Sequence, residues 1–212
     1  MKPFVITIAR RYGSGGKTVG RMLAKELNIP FYDREIIAMA SEDSGVNEVL
    51  FSDERLRPDL RSRLRGLYKG EPVLGYSTPA KGAPRDGELF EYQAAVIRRL
   101  AETGPCIIMG RCADVICADY VLGQRSDVAR VFVHADADFC LEQAMLVNSM
   151  SREDVRKKIV QVDEYRAKFY QRHTGKDWYD ARNYDLTLNS AVLGFEGVRD
   201  AIVQYLEVRS RY

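Results

Sequence analysis

A chain of 212 residues that is 46% hydrophobic and 29% charged has ample apolar material for one compact α/β domain with small inserted lobes, and is too short for two full domains. Its 32 Lys and Arg against 30 Asp and Glu leave a net charge of +2, which excludes a general nucleic-acid coat or a polybasic membrane binder. Cys106, Cys112, Cys117 and Cys140 form no C-x-x-C pair, and His134 and His173 complete no zinc pattern. Reduced, mostly buried thiols of a cytoplasmic protein are therefore expected.

The leading MKPFVITIARRYGSGG is too short in its apolar part for a signal peptide, and no stretch approaches the ~18 apolar residues of a membrane helix. Phe4 to Ala9 (FVITIA) is a β-branched apolar run before a glycine-rich turn, the pattern of a buried parallel strand. Lys17 to Leu27 spaces Val19, Leu23 and Leu27 as a helix, stopped by Asn28 and Pro30. Ile29 to Tyr32 is a brief second strand ending at Asp33, and helical character resumes from Arg34 to Ala40.

Residues 41–88 are polar, rich in Arg and interrupted by Pro58, Pro72, Pro79 and Pro84. They allow one helix around 54–66 and a long mobile loop over 68–87. Glu88 to Glu102 is amphipathic, with Phe90, Ala94, Ile97 and Ala101 on one face. Pro105 to Met109 and Ala129 to His134 are further strands. Asp136 opens a helix to about Met150, and Ser151 with Asp154 opens a long one to about His173. Tyr184 to Asn189 is the last strand and Gly194 to Val208 the last helix. Apolar strands alternating with helices predict a parallel sheet covered on both faces.

The strongest chemical signal is Arg11 to Thr18, RYGSGGKT. It ends as the nucleotide-binding pattern G-x-x-x-x-G-K-S/T does, with Arg11 in place of the first glycine and Gly13 and Gly15 inside the loop. Glycines let backbone amides turn inward around phosphate oxygens, and the helix that follows offers its positive end to the anion. The spacing assigns Gly13, Ser14, Gly15, Gly16, Lys17 and Thr18 to a nucleoside triphosphate, with Lys17 on the β- and γ-phosphates and the Thr18 hydroxyl on Mg2+.

Asp33 ends the second strand at the edge where open α/β sheets bind ligands. There it can take a proton from a substrate hydroxyl, orient magnesium, hold substrate, or simply cap the next helix. Gly110–Arg111 stands at the same edge after the third strand, suited to a bidentate grip on a substrate phosphate or to a structural ion pair. The helix 151–173 carries Arg152, Arg156, Lys157, Asp163, Arg166 and Arg172, a pattern shared by a substrate clamp and an ordinary solvated face. Tyr165, Phe169 and Tyr170 suit packing better than base stacking. Trp178, the only tryptophan, either anchors its loop or touches a ligand.

ITIARRYGSGGKTVGRMLAKEL followed by NIPFYDREII, then GRCADVI, the D-E-Y-R of Asp163 to Arg166, TGKDW and YDLTLNS resemble the cytidylate-kinase-like family of P-loop kinases. The resemblance spans nearly the whole chain and is weakest across 44–86. It implies a three-layer αβα P-loop kinase with a mostly five-stranded parallel sheet. The core would be 1–43, 88–150 and 183–212, with an acceptor-binding insert at about 44–87 and a helical lid at about 151–182. It implies ATP and Mg2+ as cofactors, and small molecules rather than nucleic acid or membrane as partners.

Carried over residue by residue, the resemblance gives Lys17 and Thr18 to the triphosphate loop and Arg111 to the acceptor phosphate. Asp163 would hold the nucleoside, Arg166 would clamp phosphate, and Asp33 is the acid after the second strand. The implied reaction is ATP-dependent transfer of the γ-phosphate to a nucleoside monophosphate such as CMP or dCMP. The alternatives are another small metabolite as acceptor, or a nucleotide-binding regulatory module with little catalysis. True cytidylate kinases read DGPSGAGK where this chain has ARRYGSGGK, DGRD where it has Met109 to Cys112, and LDSGAIYR where it has YDREIIAM. The last change removes a serine and an arginine from the acceptor side.

Overall fold

The computed structural model describes residues 4–51, 86–118 and 128–211. Within them the strands are β1 (Val5–Arg10), β2 (Phe31–Tyr32), β3 (Cys106–Met109), β4 (Val128–His134) and β5 (Leu186–Asn189). The helices are α1 (Gly16–Leu27), α2 (Glu35–Ser44), α3 (Asp86–Thr103), the single turn α4 (Ala113–Ile116), α5 (Ala137–Met145), α6 (Arg152–Thr174) and α7 (Ser190–Arg209). The helix expected around 54–66 and most of the 68–87 loop lie outside the described residues.

The strands form one parallel sheet in the order β2-β3-β1-β4-β5. Central β1 runs beside β3, with Val5 opposite Cys106, and beside β4 as far as Arg10 opposite Val133. Because side chains alternate along a strand, β1 feeds two cores. Val5 and Ala9 pack with α2, α3 and α4, while Ile6 and Ile8 pack with α1 and α7. Burial on both faces is why β1 reads as an unbroken apolar run. Gly20 of α1 lets helix and sheet approach closely, since a Cβ there would lie 2.5 Å from the Phe31 ring. From β1 the chain turns towards β2 and β3, and from β4 it turns towards β5. The crevice between these opposite exits, outside the carboxyl ends of β1 and β4, is where such sheets take ligands.

Several helix ends differ from the expected ones, each for a local reason. α2 continues to Ser44 because Ser44 Oγ bonds the Ala40 carbonyl at 2.5 Å and Gly45, at φ 70, closes the turn. α5 ends at Met145, short of Met150, because Asn148 Nδ2 folds back on the Ala144 carbonyl at 2.6 Å while Lys158 holds Asn148 Oδ1. The Asp136 and Ser151 caps form as expected, accepting from the amides of Phe139 and Asp154. α7 starts at Ser190 and kinks at Gly194, where φ is 68 and ψ 173. No helix of the described residues is long and apolar enough to cross a membrane.

Candidate active site

The loop between β1 and α1 is pinned from beneath. The Arg11 amide donates to the Val133 carbonyl at 3.1 Å, and Ser14 Oγ lies 2.9 Å from the carbonyl oxygens of both Arg11 and Val133. Ser190 Oγ donates to the Ser14 carbonyl at 2.7 Å, and Ser14 is fully buried. The Ser14 side chain therefore holds the loop's shape and leaves only its backbone to a ligand. Gly13 and Gly15 have φ of 82 and 77. A side chain at Gly13 would run into the Cys140 carbonyl, and one at Gly15 into the Phe195 ring. α1 then opens with no side-chain cap and no acidic residue in its first turn, so its leading amides and positive end are left for an anion.

At the start of α1, Lys17 Nζ donates to Asp33 Oδ2 at 2.6 Å, and Arg10 Nη2 lies 3.8 Å from Asp33 Oδ1. Asp33 is not the cap of α2, a position held by Arg34. Burial raises its carboxyl, but the Lys17 hydrogen bond and the charges of Arg10, Lys17 and Arg111 outweigh this and hold it below the ordinary carboxylate value. Asp33 is thus ionised at neutral pH. Thr18 is exposed beside Lys17 in the same first turn.

Arg111 follows β3 on an unusual backbone. Gly110, Arg111 and Cys112 are left-handed in succession, at φ 68, 57 and 57. For the two residues that carry a Cβ this costs roughly 1–2 kcal/mol each, and it turns the arginine back over the sheet edge. Arg111 Nη1 donates to Gln93 Oε1 at 2.6 Å. Gln93 is 1% exposed and is held in turn by its own Nε2 bond to the Leu89 carbonyl at 3.3 Å.

α6 lies against the phosphate loop. Asp163 Oδ1 accepts the Tyr12 amide at 2.7 Å, and Oδ2 accepts Arg11 Nε at 3.1 Å. Arg11 Nη1 also donates to the Ala135 carbonyl, and Arg166 Nη1 donates to the Arg10 carbonyl, both at 3.1 Å. Asp163 is 3% exposed. Burial raises its carboxyl, an effect the Tyr12 amide and the two arginines hold partly back. Of the D-x-x-R pair, then, the acid faces the loop, while Arg166 faces a cleft.

That cleft opens to solvent. Arg10, Arg111 and Arg166 line it on the cationic side, and Tyr165, Phe169 and Trp178 are among its aromatic walls. At its floor Tyr170 Oη donates to Asp114 Oδ2 at 2.6 Å, and burial raises the Asp114 carboxyl. Trp178 is 5% exposed and packs edge-on against Phe132, ring centres 5.2 Å apart, so it anchors its loop and walls the cleft at once. All four cysteines are buried and free, and burial lifts their thiols, Cys106 and Cys140 to about 11.

The structure therefore brings Lys17, Asp33, Arg111 and Arg166 to one edge of the sheet and turns Asp163 towards the loop. Arg10, Gln93 and Asp114 join the site without having been singled out by sequence. Asp114, two residues past Cys112, had a signal in GRCADVI and Arg10 one in ARRYGSGGK; Gln93 had none.

The description of the family model that matches residues 5–192 is the cytidylate kinase-like family. A crystal structure of an uncharacterized protein from Eubacterium ventriosum is 21% identical, covers 96% of this chain and 98% of its own, and superposes with a TM-score of 0.69. Shikimate kinase from Bacteroides thetaiotaomicron is 16% identical, with 96% and 98% covered and a TM-score of 0.54. A gluconokinase from Sinorhizobium meliloti is 17% identical, with 99% and 95% covered and a TM-score of 0.52. These likenesses establish the fold. No curated protein matches the sequence significantly.

Proposed function

The chain belongs to the cytidylate kinase-like family, and from that premise we propose that it is a cytoplasmic, ATP-dependent phosphotransferase acting on a small acceptor. The observation that carries this reading is the pairing of an uncapped, acid-free helix start bearing Lys17 with an arginine-lined cleft next to it. Loop amides and Lys17 bind the donor phosphates, for which Lys17 leaves Asp33.

Magnesium suits this site. The exposed Thr18 hydroxyl could offer one oxygen ligand, and phosphates and water would supply the others, as that ion prefers. Bound there, the ion would neutralise phosphate charge. Arg111, oriented by Gln93, and Arg166 grip the acceptor's anionic group. Asp33, kept ionised, takes any proton from the attacking oxygen. Asp163 positions the loop instead of touching substrate.

A nucleoside monophosphate such as CMP or dCMP is the leading acceptor. A small hydroxyl acceptor is the second reading, favoured by YDREIIAM, which has Arg34 and Met39 where LDSGAIYR has its serine and arginine. A screen of ADP formation over CMP, dCMP, the other monophosphates, shikimate and gluconate, with Mg2+ and ATP, tests both. Turnover with a monophosphate supports the first and with a hydroxy acid the second, whereas ATP binding with no turnover on any acceptor leaves a regulatory module.

A further inference from the structure

We propose that Arg10 is a catalytic residue, a cation supplied by the end of β1 that contacts the phosphoryl group in flight between donor loop and acceptor cleft. The inference rests on the phosphotransferase reading above and adds to it a residue outside the nucleotide-binding pattern.

The packing around Arg10 carries the argument. Its stem passes directly beneath Gly16 of the phosphate loop, where a Cβ would lie 2.6 Å from Arg10 Cβ and 2.9 Å from its Cγ. Its guanidinium passes beside Gly110 at the end of β3, where a Cβ would run into Arg10 Nη1. Glycines on both flanks thus leave one channel, and Arg10 fills it. The channel leads from the triphosphate loop to the acceptor strand. At its end Arg10 Nη2 stands 3.8 Å from Asp33 Oδ1, on the carboxylate that also binds Lys17. Arg166 ties down the Arg10 backbone by its bond to that carbonyl, and Arg10 lines the cleft with Arg111 and Arg166. One side chain therefore borders the donor loop with its stem, and the acceptor wall and the acid with its guanidinium. The side chain is 19% exposed, so its charge acts with little screening by water.

In the transfer the acceptor oxygen forms a bond to Pγ. The bond from Pγ to the β–γ bridging oxygen breaks, and its electron pair leaves with ADP. Any proton on the acceptor oxygen goes to Asp33. Negative charge spreads over the equatorial oxygens of the transferring group, and Arg10 stabilises it without giving up a proton. In the absence of substrate Asp33 keeps the guanidinium aimed at this point.

The test reads binding of ADP with and without tetrafluoroaluminate, a mimic of the phosphoryl group in flight, in the presence of Mg2+. It compares the wild-type protein with Arg10→Gln and Arg10→Lys. The wild type is expected to bind ADP far more tightly with the mimic. Arg10→Gln should lose about 100-fold of that gain, the scale of one lost transition-state donor, while its affinity for ADP alone stays within about threefold. Arg10→Lys should retain part of the gain. An undiminished gain in Arg10→Gln overturns the proposal, as does a parallel fall in melting temperature and in ADP affinity with the gain intact. Should Arg10→Gln not fold, Arg10→Lys decides, and a gain equal to wild type sinks the role of the fork. Wild-type protein that binds ADP yet gains nothing from the mimic overturns Arg10 alone. Wild-type protein that does not bind ADP overturns the phosphotransferase reading itself.

Discussion

Replacing Asp163 with Ala strips the phosphate loop of the carboxylate that takes the Tyr12 amide at 2.7 Å and Arg11 Nε at 3.1 Å, and that lies 3.5 Å from Arg166 Nη1. Removing one partner of a buried ion pair costs about 3–5 kcal/mol, because the charge left behind is uncompensated. The Arg11 side chain is 28% exposed and regains some water, which places the expected loss near the lower end, about 3 kcal/mol. For a chain of this size each kcal/mol moves the melting point by roughly 2–4 °C, so a fall of about 6–12 °C follows. Asp163→Asn keeps an oxygen for the Tyr12 amide but loses the charge, and should lose about half as much stability. Urea denaturation followed by fluorescence and circular dichroism measures the change, and calorimetric titration with ADP reads the loop. With the Tyr12 amide unheld, ADP affinity should fall at least about tenfold in Asp163→Ala, a change near 1.4 kcal/mol. A stability loss under about 0.5 kcal/mol, the scale of an ordinary surface substitution, together with unchanged ADP affinity, would refute the account of Asp163 as the loop's holder.

Asp33 has its carboxyl lowered from an ordinary 3.8, so the stability it contributes is fully present above that value and is lost as pH falls through the folded value. The stability difference between wild type and Asp33→Asn should accordingly be constant near neutrality and shrink below about pH 4, and a difference that grows on acidification would reverse the assignment. Gln93→Leu removes the acceptor that orients Arg111. It should raise the acceptor KM at least about tenfold while ATP affinity stays unchanged, since that interaction is worth about 1.5–3 kcal/mol; equal loss on both substrates in steady-state kinetics would make Gln93 merely structural. Excess EDTA should abolish turnover and added Mg2+ restore it, and full activity in the chelator would exclude a role for Thr18 at a metal.

What could be read in the sequence was what is local along the chain. GSGGKT carries its own meaning, because the strand before it, the glycines within it and the helix after it are consecutive. The alternating apolar strands likewise led to the parallel sheet. What stayed hidden was what the fold joins from afar. Asp163 and Tyr12 are 151 residues apart, and nothing in D-E-Y-R says which of its three charged residues turns inward. Gln93 looked like one polar residue on an amphipathic helix, yet it is buried against Arg111, 18 residues away. Arg10 follows the apolar run from Phe4 to Ala9, and its channel depends on two glycines from different elements. The early end of α5 depends on Lys158, ten residues further on, holding Asn148.

On the proposed function, Lys17 and its loop bind ATP and the γ-phosphate leaves for a small acceptor in the adjoining cleft. Following radiolabelled γ-phosphate from ATP over the acceptor panel, in wild type and Lys17→Ala, tests it most directly. The expected result is label on one small acceptor with wild type and at least about a 100-fold slower transfer per folded molecule with Lys17→Ala, the melting temperature falling only modestly because Lys17 is half exposed and gives up one ion pair with Asp33. Transfer by Lys17→Ala at the wild-type rate would contradict the claim.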